Sequence, residues 1–316
     1  MSNVVVISGH PDLTQSHTNS VILNELSDQL KNIDIRKLDA LYPDYKIDIE
    51  AEQKALMQAD VIVMQFPYYW YSVPALLKKW IDDVFAFNFA FGPEGDKLKD
   101  KHFILSFTVG GAEESYHPQG FNHFRIEQTL HPLEQLAYLS GMNYQKPIYT
   151  YGMVYIPGVY NKLEDVQEKA RLHAKRLSNS INSALNSVES RVNQFVKKWF
   201  SQFDLLPEDD SYFIKQLSEN VELEVPEGSF KGHAGFRDCY SNIRKTIKPG
   251  CRHEVQQVQV NDKGNGQYNV DLRVKFAAET YTGEKIEMLI NEQWLVTLSS
   301  NGQVSIHQYL ANVVGQ

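Results

Sequence analysis

Cysteine is scarce in this chain: among 316 residues only Cys239 and Cys251 are thiols, and neither lies in a Cys-x-x-Cys pair or at the Cys/His spacing of a zinc site. That usage fits a reducing compartment, and both are read as plain thiols. His102, His117, His123 and His131 show no helical metal spacing either, so no metal is expected. A basic leader is missing: MSNVVVISGHPD carries a four-residue apolar run and no cationic segment, unlike a signal peptide or anchor. Long apolar runs are missing too. Val61–Leu77 is interrupted by Gln65, Pro67 and Pro74 and falls short of the ~20 residues that span a bilayer. These absences lead to the expectation of a cytoplasmic protein. An excess of positive charge is also lacking, since 31 Lys+Arg face 39 Asp+Glu for a formal charge of −8. Such a chain gains little counterion-release affinity for nucleic acid, which is not expected as a partner.

What is present suits globular domains. Hydrophobic residues make up 42% and charged residues 22%, so cores can form, and the length suits two domains. The first half alternates strand-like runs (Val4–Ser8, Ile33–Leu38, Val61–Phe66, His102–Thr108, Pro147–Tyr151) with helical stretches (Ser16–Leu30, Ala51–Ala59, a helix opened by Pro74, Phe124–Gly141, Leu163–Leu185). The pattern predicts an α/β fold, a doubly wound five-stranded parallel sheet of flavodoxin-like winding. Near residue 178 the Ser/Asn-rich stretch SNSINSALNSVES reads as a weak helix fraying into a linker, which sets domains of 1–186 and 187–316. The second domain reads as α+β. Helices are expected at Val192–Phe203, Asp210–Leu217 and Gly235–Lys245, followed by strands Glu219–Val225, His253–Val260, Gln267–Ala278, Lys285–Thr297 and Gln303–Tyr309, with turns at DKGNG and SSNG.

Ligands of doubly wound sheets bind beyond the carboxyl ends of the strands, so three loops carry the chemistry. After the first strand, Gly9–Asn19 leads into a helix, with Ser16, Thr18 and Asn19 beside its free N–H groups. A phosphate site and a plain N-cap both fit that arrangement. Neither G-x-G-x-x-G nor G-x-x-x-x-G-K-[ST] follows the strand, which speaks against a Rossmann dinucleotide site and a nucleotide triphosphatase. After the third strand, Pro67-Tyr68-Tyr69-Trp70-Tyr71 places four aromatics in a row before Pro74. Uncovered, each would expose ~150–250 Å², so a planar ring ligand is the better reading than core. After the fourth strand, Thr108-Val109-Gly110-Gly111 lets backbone approach a ligand, and Tyr116 offers a phenolic donor to a reducible carbonyl.

In order and spacing, FPYYWYSVPALLKKWIDDVFAFNFAFG, SFTVGGAEESYHPQG and GHPDLTQSHTN resemble the flavodoxin-like NAD(P)H:quinone oxidoreductase family, and the first loop its bacterial efflux-associated branch. The resemblance covers about residues 1–186. It implies a flavin, FMN ahead of FAD, its phosphate and ribityl chain held by His10, Ser16, Thr18 and Asn19. Its ring would lie between Pro67, Tyr68, Tyr69, Trp70 and Tyr71 on one loop and Thr108, Val109, Gly110 and Gly111 on another. It also implies ping-pong hydride transfer through the flavin N5 from NADH or NADPH to a quinone-like acceptor. Tyr116 matches the family tyrosine that faces the substrate. Where the mammalian enzymes have a histidine this chain has Asn122, with His123 next to it. Phe85, Phe87, Phe89 and Phe91 alternate at period two, and the matching family region builds a homodimer and the pocket rim, with Phe91 as the interface candidate.

From about residue 188 the pattern is similar to the cone-shaped α+β fold of the nuclear-transport-factor-like (NTF2-like) and polyketide-cyclase-like (SnoaL-like) superfamily. That fold encloses an apolar pocket and serves many functions. His233, Arg237 and Asp238 could supply an acid/base pair, although a solvated helix start explains them as well, and His253 with Glu254 is read the same way. Two alternatives stand beside the reductase: a flavin- or nicotinamide-sensing regulatory subunit with low turnover, and a reductase that serves a catalytic C-terminal domain.

Overall fold

The computed structural model describes residues 4–299 and 302–315. It divides into two compact units, Met1–Leu185 and Asn186–Gln316. In the first, strands β1 (Val4–Ser8), β2 (Ile33–Lys37), β3 (Val61–Pro67), β4 (His102–Thr108), β5 (Asn143–Tyr144) and β6 (Ile148–Thr150) form one parallel sheet in the order β2-β1-β3-β4-β5, with β6 also pairing with β4. β1, β3 and β4 are buried along their whole length, which is why they read as largely apolar runs instead of alternating ones. Val4, Val6, Val61, Val63 and Ile104 pack against helices α1 (Asn19–Gln29) and α7 (Leu163–Leu185). The opposite side of the sheet meets α2 (Leu38–Leu41), α3 (Ile49–Gln58), α4 (Ala75–Val84), α5 (Ile126–Thr129) and α6 (His131–Leu139). In α4 the expected stripe of Leu76, Leu77, Trp80, Ile81 and Val84 is buried. Its approach is close: a Cβ on Gly9 would lie 2.6 Å from Leu77 Cδ2.

The fifth strand expected at Pro147–Tyr151 is found as β6, and a short β5 that was not expected precedes it. β5 pairs with His102 and Phe103, β6 with Ser106–Thr108, and Pro147, which has no N–H, falls between them. The helix expected over Phe124–Gly141 is broken into α5 and α6 at Leu130, with Pro132 in the first turn of α6. Gly141, at φ +68°, closes it as a left-handed cap. The first helix starts at Asn19 and not Ser16, because Leu13–Gln15 form a separate 3-10 turn. Phe85 and Phe89 are buried, whereas Phe87 and Phe91 are exposed and meet ring to ring at 5.8 Å. Among the described residues no helix is long and apolar enough to cross a membrane.

In the second unit α8 (Val188–Phe203) starts three residues after α7 ends, so the Ser/Asn-rich stretch, expected to fray into a linker, is helix except at Asn186 and Ser187. Ser187 supplies the cap, its hydroxyl accepting from Ser190 N–H at 3.2 Å. There follow α9 (Ser211–Ile214), β7 (Leu217–Val225), β8 (Gly228–Lys231), α10 (Gly232–Thr246), β9 (Arg252–Gly264), β10 (Gln267–Glu279), β11 (Lys285–Leu298) and β12 (Val304–Val313). They build a mixed sheet in the order β8-β7-β12-β11-β10-β9, parallel only between β7 and β12, with register shifts in β9–β10 and β11–β12. β8 was not expected from the sequence. Ser300 and Asn301 of the expected SSNG turn, and Met1–Asn3 of the N-terminus, lie outside the described residues. Trp199, Phe213, Phe236 and Trp294 fill the interior with contacting rings.

Candidate functional site

The loop after β1 is organised by its own side chains. Asp12 accepts from Thr14 N–H at 2.9 Å, Asp39 accepts Leu13 N–H at 2.7 Å, and the Ser16 hydroxyl accepts Asn19 N–H at 2.9 Å. Ser16 therefore caps α1. Thr18 is buried and makes no side-chain capping bond. His10 is buried, and burial lowers its pKa, so the ring is neutral; Nδ1 accepts Asp12 N–H at 3.1 Å, which leaves Nε2–H as a donor. Asn19 faces inward, donating to Thr108 Oγ1 at 3.1 Å and accepting from Gln65 Nε2 at 2.8 Å. Its amide joins the first loop to β3 and β4 instead of reaching outward.

Tyr69 and Ser72 exchange backbone hydrogen bonds at 3.1 and 3.0 Å around Trp70 and Tyr71, whose φ values are 49° and 65°. Two bulky residues thus occupy the left-handed positions of a tight turn that normally takes Asn or Gly, a strained arrangement of the kind found at binding sites. Trp70 is 92% exposed, and Tyr69 and Tyr71 are nearly half exposed. Pro67 is buried, and Tyr68 leans on Phe107 while its hydroxyl bonds Thr129 Oγ1. Tyr71 OH donates to Asn122 Oδ1 at 2.9 Å, bringing the second loop to the third.

In the third loop Thr108 and Val109 are buried, and Gly110 opens outward, where an added Cβ would meet only Val154 at 3.7 Å. Gly111 lies against Tyr116, whose ring also packs on Tyr151. Burial raises the Tyr116 pKa, with help from Tyr71, so the phenol keeps its proton. Asn122 is tied to Tyr71 and to Ser115 O, whereas His123 is exposed at φ 60°. Among the described residues no acceptor takes the N–H groups of His17, Thr18, Trp70, Gly110 or Gly111. Unpaired loop amides, an α1 N-terminus and a row of exposed aromatics therefore share one edge of the sheet. That edge suits an anionic group beside a flat ring.

The model of the flavodoxin-like fold family matches residues 2–177. The chain belongs to that family. Its flavodoxin-like unit is similar to the uncharacterized NAD(P)H oxidoreductase YdeQ of Bacillus subtilis, 35% identical over 179 residues, which cover 55% of this chain and 86% of YdeQ. It is also similar to the glutathione-regulated potassium-efflux system ancillary protein KefG of Cronobacter sakazakii, 40% identical over 150 residues, 48% of this chain and 81% of that protein. Among solved structures, general stress protein 14 of Treponema denticola in complex with FMN matches with a TM-score of 0.52 and 26% identity, over 58% of this chain and 99% of its own.

Several parts of the flavodoxin-like unit were not legible as site residues. A buried polar chain runs under the loops: Asn19 to Gln65, Gln65 Oε1 to Ser106 Oγ at 2.5 Å, Ser106 to His173 Nε2 at 2.8 Å, and His173 Nδ1 to Thr150 Oγ1 at 2.8 Å. Gln65, Ser106 and His173 have no solvent exposure, and burial holds the His173 imidazole down at about 3. Because Ser106 gives its proton to Gln65, it receives the Nε2–H of a neutral His173. The loop after β6 also reaches the rim, Tyr155 meeting His17 edge to face at 5.0 Å. The tyrosines clustered between residues 149 and 160 were the available signal.

Proposed function

We propose that the flavodoxin-like unit holds FMN on its three loops and is a flavoprotein oxidoreductase that carries two electrons from NAD(P)H to a quinone-like acceptor. The observation that carries the reading is the convergence of unpaired amides and exposed aromatics at the carboxyl edge of the sheet. The FMN complex of the Treponema protein and the oxidoreductase name of YdeQ support it. The residues fit the group. His17 and Thr18 N–H with His10 Nε2–H would meet the phosphate at the positive end of α1. Tyr69, Trp70 and Tyr71 would flank the ring, and Gly110 and Gly111 would offer it backbone donors. Thr108 and Asn19 would set these loops from beneath. Bound flavin supplies hydride transfer between nicotinamide and acceptor. The protein's part is to place the acceptor and give a proton: Tyr116, its phenol kept protonated by burial, donates toward the acceptor oxygen. Asn122, held by Tyr71, and the exposed His123 would border the same space. In this reading the enzyme is a cytoplasmic homodimer whose contact covers Phe91, and the second unit is an accessory NTF2-like module.

The test is spectroscopic and then kinetic. The purified chain is expected to carry the flavin absorbance band or to regain it with FMN, and to oxidise NADH or NADPH with a panel of quinones. A colourless protein that FMN and FAD both fail to reconstitute would overturn the proposal. Flavin binding without turnover would favour the sensing role instead.

A further inference from the structure

The second unit brings together three groups that the flavin chemistry does not use. Asp204 caps the end of α8, while Cys251, just before β9, and His253, within it, stand two apart and close on the same carboxylate side. His253 Nδ1 lies 2.5 Å from Asp204 Oδ1, and Cys251 Sγ lies 3.7 Å from that same oxygen. One donor atom from each residue falls within 4.8 Å of the others. Cys251 is 6% exposed, and the imidazole is packed against Phe200 and Phe276, both at 4.7 Å between ring centres. These contacts fix the ring with Nδ1 toward the carboxylate. The Asp204 side chain retains 24% of its exposure, which leaves an approach from solvent.

We infer that Asp204, Cys251 and His253 form a binding site for a single borderline-soft divalent cation of the zinc type. Sulfur, imidazole nitrogen and carboxylate oxygen are the donor set such ions take, and three protein ligands leave a fourth position for water. Bond lengths of about 2.0–2.3 Å in a tetrahedron require donors about 3.3–3.6 Å apart. The Sγ–Oδ1 separation of 3.7 Å needs to close by only about 0.1 Å. The Nδ1–Oδ1 pair must open by about 0.8 Å, because in the metal-free arrangement a hydrogen-bonding proton occupies the line between them. On binding the thiol loses its proton to solvent, and the proton between Nδ1 and the carboxylate is displaced, so that the neutral imidazole keeps its hydrogen on Nε2 and offers the Nδ1 lone pair. Joining the end of α8 to the start of β9, 47 residues on, the ion would clip a helix to the sheet it covers.

The experiment uses the full, tag-free chain, stripped with chelator and titrated with cobalt(II). A thiolate-to-cobalt charge-transfer band saturating at one equivalent is expected, with zinc(II) displacing it. Cys251→Ser should abolish the band, Cys239→Ser should leave it, and His253→Gln should weaken binding at least tenfold. Absence of the band, or a band that survives Cys251→Ser, would overturn the inference. Should the variants fail to fold, X-ray absorption on the zinc-loaded native chain decides the matter. One sulfur in the first shell, with nitrogen and oxygen making up the rest, supports the site; a shell of oxygen alone refutes it.

Discussion

Acidification should loosen the flavodoxin-like unit before its carboxylates begin to titrate, and His173 is the reason. Burial holds its folded pKa at about 3, against 6.5 for the exposed side chain. Below 6.5 the unfolded chain takes a proton that the native imidazole, placed between Ser106 and Thr150, refuses. Stability from this group is therefore complete above pH 6.5 and drains away as pH falls toward 3. At about 1.36 kcal/mol per unit the full loss is about 5 kcal/mol, and about 2 kcal/mol is gone by pH 5. Hydrogen exchange of peptides from β1, β3 and β4, followed in urea between pH 7 and pH 5, reads the change where it arises. His173→Gln, which keeps a donor toward Ser106, should remove most of that slope and leave the smaller one from His10, whose pKa burial also lowers. A native slope of zero, or an equal slope in the variant, would refute the reasoning.

Three other expectations follow from single groups. Tyr116→Phe should slow quinone reduction by on the order of 10²-fold while leaving flavin reduction by NAD(P)H nearly unchanged, as separated by stopped flow; equal effects on the two half-reactions would contradict its role. Glu52, with no exposure, accepts from Arg36, Trp80 Nε1 and Tyr42 OH. Glu52→Ala takes away the acceptor of Trp80 and Tyr42 and leaves Arg36 with Asp34 alone, and should cost about 3–5 kcal/mol in urea unfolding. In the second unit burial raises the Glu292 pKa to about 7, so the native state holds a proton between 4.5 and 7 that the unfolded chain has released. Stability there should fall by about 3 kcal/mol as pH rises through that window, a trend Glu292→Gln should flatten in exchange of β10 and β11 peptides.

The strands of the flavodoxin-like unit were legible because strands covered on both faces read as mostly apolar runs without alternation, as in Val61–Phe66 and His102–Thr108. Helix α4 was legible because its stripe is local. Breaks were harder. Pro147 and Pro132 were visible, but whether a proline ends an element, starts it or divides it depends on what packs beside it. The helix expected through the first half of the Ser/Asn-rich stretch, to Leu185, is found, but the linker expected after it is not, since low helix propensity is overruled where Ile181 and Ala184 are buried in the core.

The amino-acid sequence by itself determined the alternation of strand and helix in the first unit, the class of that unit and the three loops where chemistry could sit, since each of these rests on neighbours a few residues apart. Tertiary structure alone decided how the side chains in those loops are used. Asn19 and Thr108, 89 residues apart, spend their polar groups on each other, while Tyr71 reaches Asn122 across 51. The same holds for Gln65, Ser106 and His173, and for Asp204 with Cys251 and His253: hydrogen-bond partners at such separations leave no periodic trace, because only the folded chain brings them within 3 or 4 Å.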